Sequence, residues 1–408
     1  MPDKKDLKLL FSVPVIVAAL GYFVDIYDLL LFSIVRPASL TALGIPQDQL
    51  FKQGETLIQW QMAGLLIGGL IWGVMGDKRG RLSVLFGSIL LYSLANIGNG
   101  FVTNVTQYAT LRFIAGLGLA GELGAGITLV SEILPVRLRG YGTALVATIG
   151  LFGAVLANIV SQFGWKEAYF IGGGLGLLLL IARISVFESG IFLKTKEQHV
   201  ERGNLLQLVN NGQRLKKYLG CIFIGLPIWF VIGNLVSFSP EIAKSMGLTE
   251  LITPGNAVMF AYIGLAFGDL TSGFGSQLIR SRKKMVLAFI ALNFIFVCIF
   301  LFVPVETAFA FYARCFMLGF GIGYWALFVT IAAEQFGTNL RSTVATTVPN
   351  FIRGTLIPIT WLFQYLRGRY DTIHGAFIVI VVTTIIALIA LAVVDETYSR
   401  DLNYVEKD

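Results

Sequence analysis

Apolar runs of 18 to 28 residues recur along almost the whole chain, each long enough to cross about 30 Å of hydrocarbon. Inside a bilayer every backbone N–H and C=O must be satisfied by the protein itself, so a chain built from such runs folds as packed transmembrane helices. The fold class expected is therefore an all-α membrane protein. Twelve helices are predicted, over 11–36, 57–76, 82–101, 107–134, 140–162, 166–187, 218–238, 256–279, 285–304, 308–336, 343–366 and 374–394. Most connections are short. Segments 37–56 and 239–255 are longer, and the polar stretch 188–217 divides the chain into an N-terminal six-helix half, 1–187, and a C-terminal six-helix half, 218–408. Only 13% of the 408 residues are charged against 56% hydrophobic, too little charge to cover a soluble protein of this length. Lys4, Lys5 and Lys8 precede the first run, which exceeds a signal-peptide core and is expected to be retained.

The basic residues predict an orientation. With the N-terminus cytoplasmic, cytoplasmic segments hold 21 Lys and Arg and the outside segments hold 5, namely Lys52, Lys166, Lys244, Arg367 and Arg369. Both termini and the 188–217 linker are thus expected inside. The remaining Arg36, Arg112, Arg183, Arg314 and Arg353 fall within helices or at their ends. This distribution accounts for the net charge of +7 without nucleic acid as a partner. Cys221, Cys298 and Cys315 have no paired spacing, and no metal cluster, nucleotide loop or catalytic set is evident, so no metal, no cofactor and no enzyme activity are expected. The Asn-Val-Thr triplet at 104–106 carries little weight.

An offset of 202 residues aligns the two halves. Gly73 meets Gly275, Lys78 meets Arg280, Arg81 meets Lys283, Arg112 meets Arg314, Glu132 meets Glu334 and Arg139 meets Arg341. Two six-helix halves related by a parallel repeat place a substrate site at their interface near mid-membrane. Charges present in one half only are the better candidates for chemistry: Asp25 meets Pro227, Asp28 meets Phe230, Glu122 meets Tyr324 and Arg353 meets Leu151.

The motif "GVMGDKRGR" at 73–81 resembles the loop between helices 2 and 3 of the major facilitator superfamily. Its second copy, "GSQLIRSRK" at 275–283, has Ile279 where the Asp belongs. Glu132 and Arg139 resemble the superfamily ending of helix 4, and "FESGIFLK" at 187–194 resembles its segment after helix 6, with Gly190 and Ile191 replacing Pro and Arg. The resemblance implies a cytoplasmic gate built from Gly73, Asp77, Gly80, Arg81, Glu132, Arg139, Glu188, Glu334 and Arg341. The competing reading is generic surface pairing of little energetic weight. "GYFVDIYDLLLFS" resembles helix 1 of the phosphate:proton symporters. "AGELGAG" at 120–126 and "AEQFGTNLRS" at 333–342 resemble the metabolite:proton symporters. In helix 4, Gly116, Ala120 and Gly124 form a smooth face for close packing.

Asp25 and Asp28 lie three residues apart and share one face of helix 1. A charged side chain at the bilayer centre costs about 2.5 to 3.5 kcal/mol, so such groups normally face a cavity. Burial raises a carboxyl pKa and a nearby cation lowers it, which lets a group switch with its surroundings. The expected proton site comprises Asp25, Asp28 and Glu122, with Arg112 as the cationic partner. The alternative is a static charge network joining helices 1 and 4. Arg353, with Asn350 on its face and Pro349, Gly354 and Pro358 interrupting the helix, is expected to bind an anionic ligand group or to pair with Glu122. Tyr27, Gln61, Asn158, Trp229, Asn234, Tyr324 and Trp325 complete the candidate substrate-binding set, with Gln59 a weaker candidate and Gly225–Pro227 breaking helix 7. Aromatic residues in a bundle core are more often packing than ligand contact. The whole predicts a monomeric alternating-access symporter that takes up a small organic anion with protons, surrounded by lipid of a bacterial inner membrane. The competing readings are an exporter or uniporter of a larger, zwitterionic or cationic solute, and a non-transporting receptor.

Overall fold

The computed structural model describes residues 4–183 and 206–398. A short helix, Lys4–Leu10, leads into α1, Val13–Ala42. There follow α2 (Leu50–Arg79), α3 (Arg81–Asn99), α4 (Val105–Leu119 and Glu122–Ile133), α5 (Val136–Leu151 and Gly153–Ser161) and α6 (Trp165–Ala182). The second set is α7 (Gly212–Phe223 and Leu226–Phe230, then a π-turn over Val231–Val236), α8 (Pro254–Leu278) and α9 (Arg282–Phe302). It closes with α10 (Ala308–Gly321 and Trp325–Glu334), α11 (Thr338–Gly354 and Leu356–Arg369) and α12 (Thr372–Val393). Among the described residues, nine helices are long and apolar enough to cross a membrane. The other three crossings are α4, α5 and α11, each in two pieces. The protein is a multi-pass integral membrane protein of twelve helices in two sets of six.

Several boundaries differ from those expected, for one physical reason. A hydropathy reading stops a helix at a charge, whereas here the helix runs on and buries the charge against the other half. The first helix was expected to end at 36 but reaches Ala42, and the second to begin at 57 but begins at Leu50. Arg36, fully buried, pairs at 2.7 Å with Glu241 of the short helix Ser239–Ser245 and lies 4.5 Å from the Phe238 ring centroid. Glu55 pairs at 3.3 Å with Arg367 of α11 and accepts a 2.8 Å hydrogen bond from Gln364. Asn158 of α5 donates to Asn256 of α8 at 3.0 Å, and Trp361 donates to Gln59 at 3.2 Å. These contacts tie the two halves together at the face that carries the 43–49 turn.

Close helix contacts rest on small residues. Gly64 lies against the Phe113 carbonyl and Gly116 against that of Gln61, bringing α2 onto α4, while Gly264 and Gly319 do the same for α8 and α10. The Gly116–Ala120–Gly124 face divides its contacts: Gly116 and Ala120 meet α2, and Gly124 meets Thr346 of α11. Gly80 turns the chain between α2 and α3 at φ 103, a conformation that a side chain would strain.

At the opposite face the Glu396 carboxylate accepts from the Ser281 hydroxyl and from the backbone N–H of Arg282 and Lys283, capping α9. Partial burial would raise its pKa, but hydrogen bonds from Ser281 and from the N–H groups of Tyr398, Arg282 and Lys283 outweigh that and hold it down to about 2, from 4.5. A depressed folded-state pKa stabilises at pH values above the unfolded one. Glu396→Gln should therefore lower the melting temperature at pH 7, and the gap to the parent should close as pH falls from 4.5 toward 2. Melting curves of the detergent-purified protein across that range measure it.

Candidate transport site

The middle of α1 carries the site. Asp25 and Asp28 are fully buried, and among the described residues neither carboxylate has a hydrogen-bond partner. Asp28 looks into the N-terminal half, where its Oδ1 packs on Gly172 of α6 with no room for a methyl group. The charges acting on it are those of Arg112 and Asp25. Arg112 is itself fully buried, without a hydrogen-bond partner among the described residues, and its guanidinium lies 5.5 Å from the Phe32 ring centroid and 5.9 Å from that of Tyr169. The expected cation thus stands near Asp28, held by aromatic faces rather than in a closed ion pair.

Asp25 looks the other way. The charges acting on it are Arg353 across the interface between halves, then Glu122 and Arg183. Arg353 of α11 is buried, 5.5 Å from the Trp229 ring centroid and 5.7 Å from that of Trp325, two rings that meet edge to face at 6.1 Å. Its Nη1 donates to Asn350 Oδ1 at 3.4 Å and its Nε has no partner. Asn350 in turn donates to the Ala120 carbonyl at 2.8 Å, where α4 is interrupted. Arg353, Asp25, Tyr262 and Asp269 all act electrostatically on Tyr22, which links polar groups of α1, α8 and α11 across the interface between the halves.

Two expectations need correction. Glu122 does not pair with Arg353. Both its oxygens accept from Arg183 at the end of α6, and this bidentate pair is seated on Gly21 of α1. Nor does Pro349 interrupt α11: it lies within the first piece, and the interruption falls at Thr355.

The remaining candidates separate by place. Tyr27 donates to the Ala168 carbonyl at 2.7 Å and Gln61 to that of Leu29 at 3.2 Å, both inside the N-terminal set. Asn158 sits in the closure between α5 and α8. Asn234 accepts from Thr360 at 3.2 Å, and Tyr324 donates to the Ile224 carbonyl at 3.1 Å, joining the break of α10 to that of α7. Trp229 and Trp325 are at Arg353. Of the gate residues, Gly73 packs on Thr347 of α11, and Glu334 accepts from Arg282 at 2.7 Å. The side chains of Asp77, Arg81, Glu132, Arg139 and Arg341, and the whole of Glu188, lie outside the described residues.

Arg183, Tyr22, Tyr262 and Asp269 were not among the candidates. Asp269 meets the same criterion as Asp25, since the 202-residue offset sets it opposite Ile67. Arg183 was visible as a helix-embedded arginine, but nothing in the sequence marked its partner.

The family model described as Major Facilitator Superfamily matches residues 18–353, and the chain belongs to that family. It is 28% identical over 386 residues to the sialic acid transporter NanX of Escherichia coli, covering 92% of this chain and 90% of that protein. It is 24% identical to the niacin transporter NiaP of Acinetobacter baylyi, covering 83% and 84%. The proton:xylose symporter XylE, bound to 6-bromo-6-deoxy-D-glucose, has the same fold, with a TM-score of 0.71, 17% identity and 97% and 98% coverage. The protein is a metabolite transporter and not an enzyme.

The Glu122–Arg183 pair is buried on both sides, so removing one partner strands a charge. Arg183→Ala alone should destabilise by about 3 to 5 kcal/mol. Arg183→Ala combined with Glu122→Ala should be clearly more stable than Arg183→Ala, as a thermal-melt mutant cycle would register.

Proposed function

We propose that this transporter is a proton-coupled symporter for a small organic anion, working by alternating access as a monomer. Its termini and the 188–217 linker face the cytoplasm of a bacterial inner membrane, on the strength of the 21-to-5 distribution of basic residues. The observation that carries the reading is the pair of buried, unpartnered carboxylates three residues apart on α1, one acted on by Arg112 and the other by Arg353. Such groups exchange a proton whenever their access to a cation or to water changes. Rocking of the halves supplies that change, because Asp25 belongs to one half and Arg353 to the other. A substrate carboxylate arriving at Arg353 competes with Asp25 for the same guanidinium, and a displaced Asp25 takes a proton. Substrate and proton then travel together. Arg36–Glu241 and Glu55–Arg367 act as the closure on the outer side, with the residues from Gly73 to Arg341 named above serving the cytoplasmic one.

In proteoliposomes, Asp28→Asn and Asp25→Asn should each abolish uptake against a gradient while sparing counterflow; accumulation that survives in both variants and collapses with a protonophore refutes the coupling role. Arg353→Lys replaces a planar fork by a point charge, and should weaken the apparent affinity for a carboxylate substrate about tenfold or more. Unchanged affinity removes Arg353 from the substrate site.

A further inference from the structure

Asp269 sits on α8 beside the break in α10. Its Oδ1 accepts the Ala326 N–H at 3.0 Å, capping the half-helix Trp325–Glu334, and its Oδ2 has no partner although the residue is 9% exposed. Capping does not by itself call for an acid, because asparagine caps a helix as well as aspartate. The Trp325 N–H acts on the same carboxylate, yet Oδ2 has no hydrogen-bond partner among the described residues, and an unsatisfied buried acceptor is costly. Arg353 Nε, Trp229 Nε1 and Asn234 Nδ2 are among the unsatisfied donors of the same C-terminal set. Arg353 stands against the Trp229 and Trp325 rings, and Trp325 opens the half-helix that Asp269 caps. Asp269 and Arg353 also act on the same Tyr22 hydroxyl. A cationic donor and an anionic acceptor thus both stand next to Trp325, Arg353 over its ring and Asp269 at the start of its half-helix.

We propose that Asp269 is a specificity residue: its free oxygen accepts a hydrogen bond from an O–H or N–H group of the substrate while Arg353 holds the substrate's carboxylate. The assignment rests on the organic-anion reading and narrows it. The substrate class becomes acids bearing a hydroxyl or ammonium group, with the apolar part of the molecule against Trp229 and Trp325. A simple acid leaves Oδ2 unpaired and is rejected, since a site built to bond a donor discriminates strongly against an analogue lacking it.

The test uses the full-length purified protein and matched probes: propionate, lactate and alanine; benzoate, 3-hydroxybenzoate and 3-aminomethylbenzoate. Binding is read by tryptophan fluorescence and by thermal shift. In at least one set, a hydroxyl- or ammonium-bearing acid should bind about tenfold or more tighter than its parent. A hydroxyl preference and an ammonium preference each support the assignment and distinguish the two donors. Asp269→Asn keeps the capping oxygen and replaces the free one by a donor. It should leave the melting temperature unchanged and erase the preference, whereas Asp269→Ala should lower the melting temperature. If simple acids bind as well as their substituted partners, or Asp269→Asn preserves the preference, Asp269 only caps the helix and the assignment is wrong. If no acid binds in any form, the organic-anion reading fails and takes this assignment with it.

Discussion

A carboxylate taken out of water without a partner is among the most expensive things a folded chain can contain. This bundle holds two such groups on α1, and Arg112 as a third uncompensated group nearby. The rest of the architecture is arranged around that constraint. Arg112 is stabilised by the Phe32 and Tyr169 rings, and Arg353 by Trp229 and Trp325. Aromatic faces hold a cation in place without neutralising it, so each arginine stays available to a carboxylate that approaches. Glu122 differs: locked to Arg183 on both oxygens, it fixes α4 to α6 within one half. Of the three acids, Asp25 and Asp28 are the ones left without a hydrogen-bond partner among the described residues, and Glu122 acts on Asp25 through its charge.

The helix interruptions position the candidate binding groups. Ala120 and Gly121, moved by 202 residues, fall on Ile322 and Gly323, so α4 and α10 are broken at corresponding points. Each break exposes backbone that a continuous helix would satisfy internally, and each recruits a side chain from elsewhere: Asn350 bonds the Ala120 carbonyl and Asp269 bonds the Ala326 N–H. Non-helical backbone at membrane depth is tolerated where protein or a water-lined space surrounds it. The Asn350 bond crosses between halves, as do Gly124 against Thr346 and Gly73 against Thr347. Motion of one half against the other must remake these contacts together.

The membrane fold was legible because lipid leaves so few choices: long apolar runs and one repeat offset carried twelve helices. Boundaries were less legible where polar residues continue a helix. Arg36 read as the end of an apolar run and Glu55 as part of the 37–56 connection, yet each is buried in a contact with a residue more than 200 positions away in sequence. Asp25, Asp28 and Arg353 stood out because a lone charge in an apolar run has few structural excuses. Partners did not stand out, since pairing depends on which faces of distant helices meet. Arg183 beside Glu122 was hidden for that reason, and Asn158 and Tyr324 proved to be spent on Asn256 and the Ile224 carbonyl.

Proton-coupled transport as proposed requires acidic groups of α1 to gain and lose hydrogen ions inside the bundle. Infrared difference spectroscopy of the reconstituted protein, titrated across neutral pH in ordinary and heavy water, observes carboxyl protonation directly. A protonated-carboxyl band that titrates in the parent and is lost in Asp25→Asn or Asp28→Asn is the predicted result. A spectrum in which neither variant removes any titrating carboxyl band would contradict it.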